Sequence, residues 1–169
     1  MKLKWQHKVG RFLMKLQPLK LVVIDDVESY FNKNMLDLAN TMGFSKIERL
    51  YYIDKKILQR LLVSPPDIII LDIKGIVNSE IGKDGFDIAR TMMRETNTYV
   101  VVTSAHRYKL KNENSEYDYI INNRLLTAVD FLEELHSIVS DAFELKINWY
   151  KNIAFRIGFG LIKKILVQK

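Results

Sequence analysis

The stretch Pro65-Pro66-Asp67-Ile68-Ile69-Ile70-Leu71-Asp72 decides how the rest of the chain is read. Two prolines end whatever precedes them, because each fixes φ and neither donates a backbone hydrogen bond. Four consecutive apolar residues follow, three of them β-branched. A run that short, without polar alternation, suits a strand buried on both faces, as in a parallel sheet covered by helices. Asp72 then falls at the strand's end. Ligands of open α/β sheets bind outside the carboxyl ends of the strands. A carboxylate there is either a functional group or the cap of the following helix.

Two further runs bear on that choice. Leu21-Val22-Val23-Ile24 is short and apolar and ends in Asp25-Asp26. Tyr99-Val100-Val101-Val102 ends in Thr103-Ser104-Ala105. If the three strands lie parallel and adjacent, three carboxylates and a hydroxyl converge on one edge. Carboxylates so placed repel one another and favour a bound cation. Hard oxygen ligands suit Mg²⁺, which keeps several waters and recruits a phosphate.

Over about residues 20–140 the sequence resembles the receiver domain of two-component response regulators. Asp25-Asp26 matches the acidic pair after the first strand, and Asp72 the aspartate that takes a phosphoryl group. Lys83-Asp84-Gly85-Phe86-Asp87-Ile88-Ala89 is similar to the opening of the family's third helix. Ser104-Ala105 matches the switch hydroxyl and the small residue after it, and Tyr119 the switch aromatic on the fifth strand. The resemblance implies a phosphoacceptor regulator and not an enzyme in the ordinary sense. Asp72 would accept a phosphoryl group from a histidine kinase or phosphotransfer protein. Asp25, Asp26 and Asp72 would hold Mg²⁺, with the backbone carbonyl of Lys74 as a further ligand. Ser104 and Tyr119 would form the switch pair.

One position departs from the pattern. The family carries Lys-Pro after the fifth strand, where this chain has Asn122-Asn123. An asparagine amide donates a hydrogen bond but brings no charge, and a charge-assisted bond is roughly twice as strong as a neutral one. Lys74, two residues beyond Asp72, is a candidate substitute for the missing charge, and the alternative is an ordinary solvated loop lysine. Lys74 and His106 also fall where the family tunes the lifetime of the acyl phosphate. The segment from Ile73 to Asp84 is longer than usual and lacks the family's common proline. The intact acids favour a phosphoacceptor switch. Asn122 favours the alternative, a receiver-like interaction or adaptor module that does not switch.

Composition narrows the classes. At 169 residues the chain suits one domain with additions, and its apolar fraction is ordinary for a globular protein. It has no cysteine, which excludes disulfides, thiolate metal sites and cysteine nucleophiles. Its three histidines (His7, His106, His136) have no metal-ligand spacing. No stretch offers roughly 18 clean apolar residues, so a spanning helix is not expected. The basic N-terminus lacks the apolar core of a signal peptide. A cytoplasmic, bacterial setting follows from the resemblance.

Charge is unevenly placed. Residues 1–18 carry +5 and residues 141–169 carry +4, so of the total +6 the segment between them carries −3. The expected organisation is a basic amphipathic helix over 1–18, a receiver-like domain over 19–145 and a basic, aromatic helical extension over 146–169. The first helix has Trp5, Val9, Phe12, Leu13 and Leu16 at helical spacing. Gly158 and Gly160 weaken the last by about 1 kcal/mol each. The ends carry the output under three readings: packing on each other or on a partner chain, as in a homodimer; lying on an anionic membrane surface, which would make the protein peripheral to it; or meeting nucleic acid phosphates, the least favoured.

Between these ends strands and helices alternate. Strands are expected at about 20–25, 46–52, 68–72, 99–103 and 118–121. Helices are expected from about Glu28 to Met42, from an Asp54 cap to about Val63, from Asp84 or Gly85, and after a Thr127 cap to about Leu145. The stretch 106–116 could hold only a short, weakly anchored helix. The alternation predicts a doubly wound α/β sheet with helices on both faces. The receiver resemblance implies the flavodoxin-like order 2-1-3-4-5.

Overall fold

A computed structural model describes residues 19–103, 116–121 and 127–145. The terminal helices expected over 2–16 and 147–167, the stretch 106–115, Ser104, Asn122 and Asn123 lie outside the described residues.

The sheet has five parallel strands: β1 (Lys20–Ile24), β2 (Lys46–Leu50), β3 (Ile68–Asp72), β4 (Tyr99–Thr103) and β5 (Tyr119–Ile121). Their order is β2-β1-β3-β4-β5. Four described helices cover it: α1 (Lys33–Asn40), α2 (Lys55–Val63), α3 (Gly85–Glu95) and α4 over residues 128–145. This is the doubly wound sheet the alternation predicts, in the flavodoxin-like order the receiver resemblance implies.

β3 and β4 are buried along their whole length, as continuous apolar runs require. Successive side chains point to opposite faces and divide the core in two. On one face Leu21, Val23, Ile68, Ile70 and Val101 pack against α1 and α4. On the other Val22, Ile24, Ile69, Leu71 and Val102 pack against α2 and α3. Burying each such side chain contributes roughly 1.5–3 kcal/mol, so the central strands are the fixed frame of the site.

The caps follow from local chemistry. Asp54 begins α2 by accepting a hydrogen bond from Ile57 N at 2.7 Å, and Asp84 begins α3 by accepting from Phe86 N at 3.0 Å. At α4, Thr127 Oγ1 accepts from Asp130 N while Asp130 Oδ2 accepts from Thr127 N. That reciprocal pair is a capping box with aspartate in the glutamate position.

The first helix corrects the sequence reading. Expected from Glu28, it begins at Lys33, behind an Asn32 cap that accepts from Met35 N. The cause is Arg49 on β2. Its guanidinium donates to Val27 O at 2.8 Å, Phe31 O at 2.9 Å and Glu28 O at 3.1 Å. Carbonyls that a helix beginning at Glu28 would use are thereby engaged, and the chain turns instead. Phe31 adopts φ 48° in that turn. Met35 and Ala39 are the buried residues of α1, while Leu38 is exposed.

Candidate functional site: an acidic pocket at the carboxyl edge

β1 ends one residue before Asp25, whose N–H still donates to Leu50 O and so continues the ladder with β2. The Asp25 side chain is buried, and its Oδ1 accepts from Val27 N at 2.9 Å. Asp72 is the last residue of β3, stands opposite Thr103 of β4 and is also buried. Its Oδ1 accepts from Ile73 N at 2.8 Å. Asp26 is exposed at the rim. One carboxylate oxygen from each of the three residues lies within 4.8 Å of the others. The convergence expected from separate strand ends and loops is therefore present among the described residues.

Burial, and then the neighbouring charges of Asp72 and Asp26, push the Asp25 carboxyl up to about 6. The Val27 N–H and Arg49 pull the other way without cancelling that rise. A cation reverses the balance, since it favours the ionised form. The donor set is three hard carboxylate oxygens, which suits Mg²⁺ and not a thiophilic metal.

Two glycines, whose roles the sequence reading missed, shape the pocket. Gly75 has φ +82°, and a Cβ there would collide with Asp26 Oδ2. Its backbone thus lies directly against the Asp26 carboxylate. At Gly85, the first residue of α3, a Cβ would collide with the Asp72 carbonyl oxygen. Gly85 N also donates to Ile73 O at 2.7 Å. The amino end of α3 is seated on the backbone of Asp72 because no side chain intervenes. The signals were present: a glycine three residues after Asp72, and one following an Asp cap.

The long segment after Asp72 is anchored. Ile73 and Ile76 are buried. Ile53 N donates to Ile76 O at 2.6 Å and Asn78 N to Ile53 O at 3.0 Å, forming a parallel bridge between Ile53 and Val77. The segment therefore extends the sheet beyond the end of β2. Lys74 sits exposed on it, between buried Ile73 and Gly75. Tyr119 lies on β5, half-buried, and its hydroxyl donates to Glu134 Oε2 on α4 at 2.6 Å. That bond, with burial, pushes the phenol up to about 12.

No family model matches the sequence, and no curated protein matches it. Solved structures with the same fold are found. The N-terminal domain of a response regulator/sensory box/GGDEF 3-domain protein from Carboxydothermus hydrogenoformans is similar at 20% identity and TM-score 0.54, over 79% of this chain and 98% of that one. The chemotaxis response regulator CheY4 of Vibrio cholerae is similar at 14% identity and TM-score 0.56, over 72% and 99%. The response regulator domain of Thermotoga maritima CheB is similar at 16% identity and TM-score 0.54, over 76% and 98%. The chain has the fold of response-regulator receiver domains. Among the described residues, no helix is long and apolar enough to cross a membrane.

Proposed function

We propose that the protein is a phosphoacceptor of the response-regulator kind, with Asp72 as acceptor. The observation that carries the reading is the meeting of Asp25, Asp26 and Asp72 at the carboxyl edge of a receiver fold. A carboxylate oxygen of Asp72 attacks the phosphorus of a phosphohistidine. The P–O bond forms as the P–N bond breaks, and the imidazole leaves. The product is an acyl phosphate on a buried strand end. Asp25, Asp26 and Asp72 would hold Mg²⁺, with the Lys74 carbonyl as a further ligand. When bound, the cation neutralises charge on the transferring phosphoryl, the main source of catalysis in such transfers.

The remaining roles belong to the chain's own side chains. Asp25 must lose its proton for the site to load, which burial opposes below about pH 6. Ser104 donates to a phosphoryl oxygen, and Tyr119 follows the movement of that loop, leaving its bond to Glu134. The donor partner is a histidine kinase or phosphotransfer protein, and a cytoplasmic location follows from that partnership. Intact-mass spectrometry after incubation with acetyl phosphate and Mg²⁺ tests the reading. One added phosphoryl group is expected in the wild type and none in Asp72→Ala. Labelling that survives in the mutant removes Asp72 from the role.

Asn122, in place of the family's lysine, supports a second reading: an adaptor that keeps the receiver shape without switching. Under the first reading Asn122→Lys enlarges the chemical-shift response to beryllofluoride around Ser104 and Tyr119. A wild type that accepts no phosphoryl group and does not respond to beryllofluoride leaves the adaptor reading.

A further inference from the structure

The three acids of the carboxyl edge are not held alike. Asp25 and Asp72 are buried, and each accepts a backbone N–H of its own loop, from Val27 and Ile73. Asp26 is exposed at the rim. Its carboxylate is bounded by Gly75, where an added Cβ would overlap Asp26 Oδ2 and Cγ. Gly75 also has φ +82°, a conformation that glycine adopts at no steric cost. Position 75 therefore calls for glycine twice, once for its backbone and once for the carboxylate beside it. Gly43 shows that the two demands are separable, since at φ +90° a Cβ there would meet nothing within 4 Å.

Gly75 is itself fixed from both sides. Before it, Ile73 is buried and its carbonyl accepts from Gly85 N at 2.7 Å. After it, Ile76 is buried and its carbonyl accepts from Ile53 N at 2.6 Å, while Asn78 N donates to Ile53 O at 3.0 Å. Ile53 is buried in turn and precedes Asp54, the cap of α2. Lys74 and Gly75 thus form an exposed two-residue arch. One foot is tied to the start of α3 and the other to the turn before α2. A shift of the arch away from Asp26 strains the backbone hydrogen bonds at those feet, and buried backbone groups are costly to leave unpaired.

We propose that Gly75 is a positioning residue of the cation site: the pinned arch holds the exposed Asp26 carboxylate within reach of Asp25 and Asp72. The inference rests on the reading of those acids as a cation site, and adds what orders their exposed member. A carboxylate on free rotors must be ordered when a cation binds, and a wall that narrows its choices beforehand removes part of that cost. Residues that orient a metal's direct ligands typically change metal affinity by about 10–100-fold. Coupling of this kind is reciprocal. If the arch steadies Asp26 for the cation, a bound cation steadies the arch, and with it the hydrogen bonds made by Ile53 N and Asn78 N. The occupancy of the acidic pocket is then felt at the turn before α2.

Calorimetric titration with Mg²⁺ alone, on the full-length chain, tests this as a double-mutant cycle. Gly75→Ala should weaken binding by about 10-fold or more. In Asp26→Ala the atoms that a Cβ at position 75 would strike are gone, so adding Gly75→Ala should cost no further affinity. Equal losses in both backgrounds would show that the alanine acts by straining the arch and not through Asp26, which overturns the inference. So would a Gly75→Ala protein that binds Mg²⁺ as tightly as the wild type. Amide hydrogen exchange needs only the wild type and does not depend on the variants folding. Mg²⁺ should slow exchange at Ile53 and Asn78 several-fold more than at Ser45, whose N–H bonds Leu19 O at the other end of β2. An equal response at all three amides, with Mg²⁺ bound, overturns the inference and leaves the cation site standing. A wild type that binds no Mg²⁺ removes the cation site itself, and the inference with it.

Discussion

Both edges of this sheet are acidic, yet their carboxylates behave differently. At the amino edge Asp67 and Asp118 stand where strands begin, and each accepts a strand-end N–H, from Lys20 and Val100. At the carboxyl edge Asp25 and Asp72 follow or end their strands, with Asp26 beside them. Parallel strands present N–H groups at one end and carbonyl oxygens at the other. An acid at the amino edge meets donors and serves the frame. Acids gathered at the carboxyl edge meet mainly other oxygens and lean on the first N–H groups of their own loops, as the Val27 and Ile73 bonds show. The same residue type caps backbone donors at one edge and gathers into a cluster at the other.

The largest expected effect separates the edges by their glycines. Gly85→Ala forces a Cβ into the Asp72 carbonyl and should cost about 3–4 kcal/mol, since the obstacle is backbone. Gly43, at the amino edge, has φ +90°, but a Cβ there would meet nothing within 4 Å. Gly43→Ala should therefore cost only about 1 kcal/mol of backbone strain. Urea unfolding of both variants measures the gap. Equal costs would mean that α3 is not seated rigidly on Asp72.

Next comes the pH response of Asp25. Its folded pKa of about 6 lies above the ordinary carboxylate value, so the folded state binds the extra proton between about pH 4 and 6. The stability this supplies is complete below about pH 4 and lost as pH rises through 6, roughly 2–3 kcal/mol in metal-free buffer. Mg²⁺ should therefore raise the urea midpoint more at pH 7 than at pH 5. Asp25→Asn should flatten the metal-free profile and abolish the Mg²⁺ gain. A wild-type stability that rises between pH 4 and 6 would place the proton elsewhere.

Arg49→Ala removes three carbonyl contacts from the loop that follows Asp26. A loss of about 2 kcal/mol is expected, with weaker Mg²⁺ binding by calorimetry. Arg49→Lys should recover only part, because one ammonium lacks the planar fork that spans three carbonyls. The smallest effect belongs to Asp118→Asn. Asparagine still accepts from Val100 N, so stability should change by less than about 0.5 kcal/mol and the Mg²⁺ response not at all. A large Mg²⁺ effect there would erase the distinction between the edges.

What could be read from the chain alone follows the range of the interactions. The strands were legible because short β-branched runs such as Ile68–Leu71 are buried on both sides and answer to no distant residue. The acidic trio was legible because its members end or follow such runs. The start of α1 was not, since it depends on Arg49, 21 residues beyond Glu28. Nor was the pairing of Ile53 with Val77, which turns a nominal loop into an extension of the sheet. Gly75 reads as an ordinary loop glycine until Asp26 is seen against it.

Phe31 holds a left-handed backbone, which costs a non-glycine residue about 1–2 kcal/mol. Its ring meets Phe131 of α4 edge-on, with centroids 5.2 Å apart. Three residues along, on the same face of that helix, Glu134 takes the Tyr119 hydroxyl. The turn after the acidic pair and the tyrosine of β5 are thus both fastened to one rigid rod. A slide of α4 along its axis would tug at both ends together. Phe31→Leu, which keeps the bulk but loses the ring contact, would slacken one of those fastenings and leave the other tight.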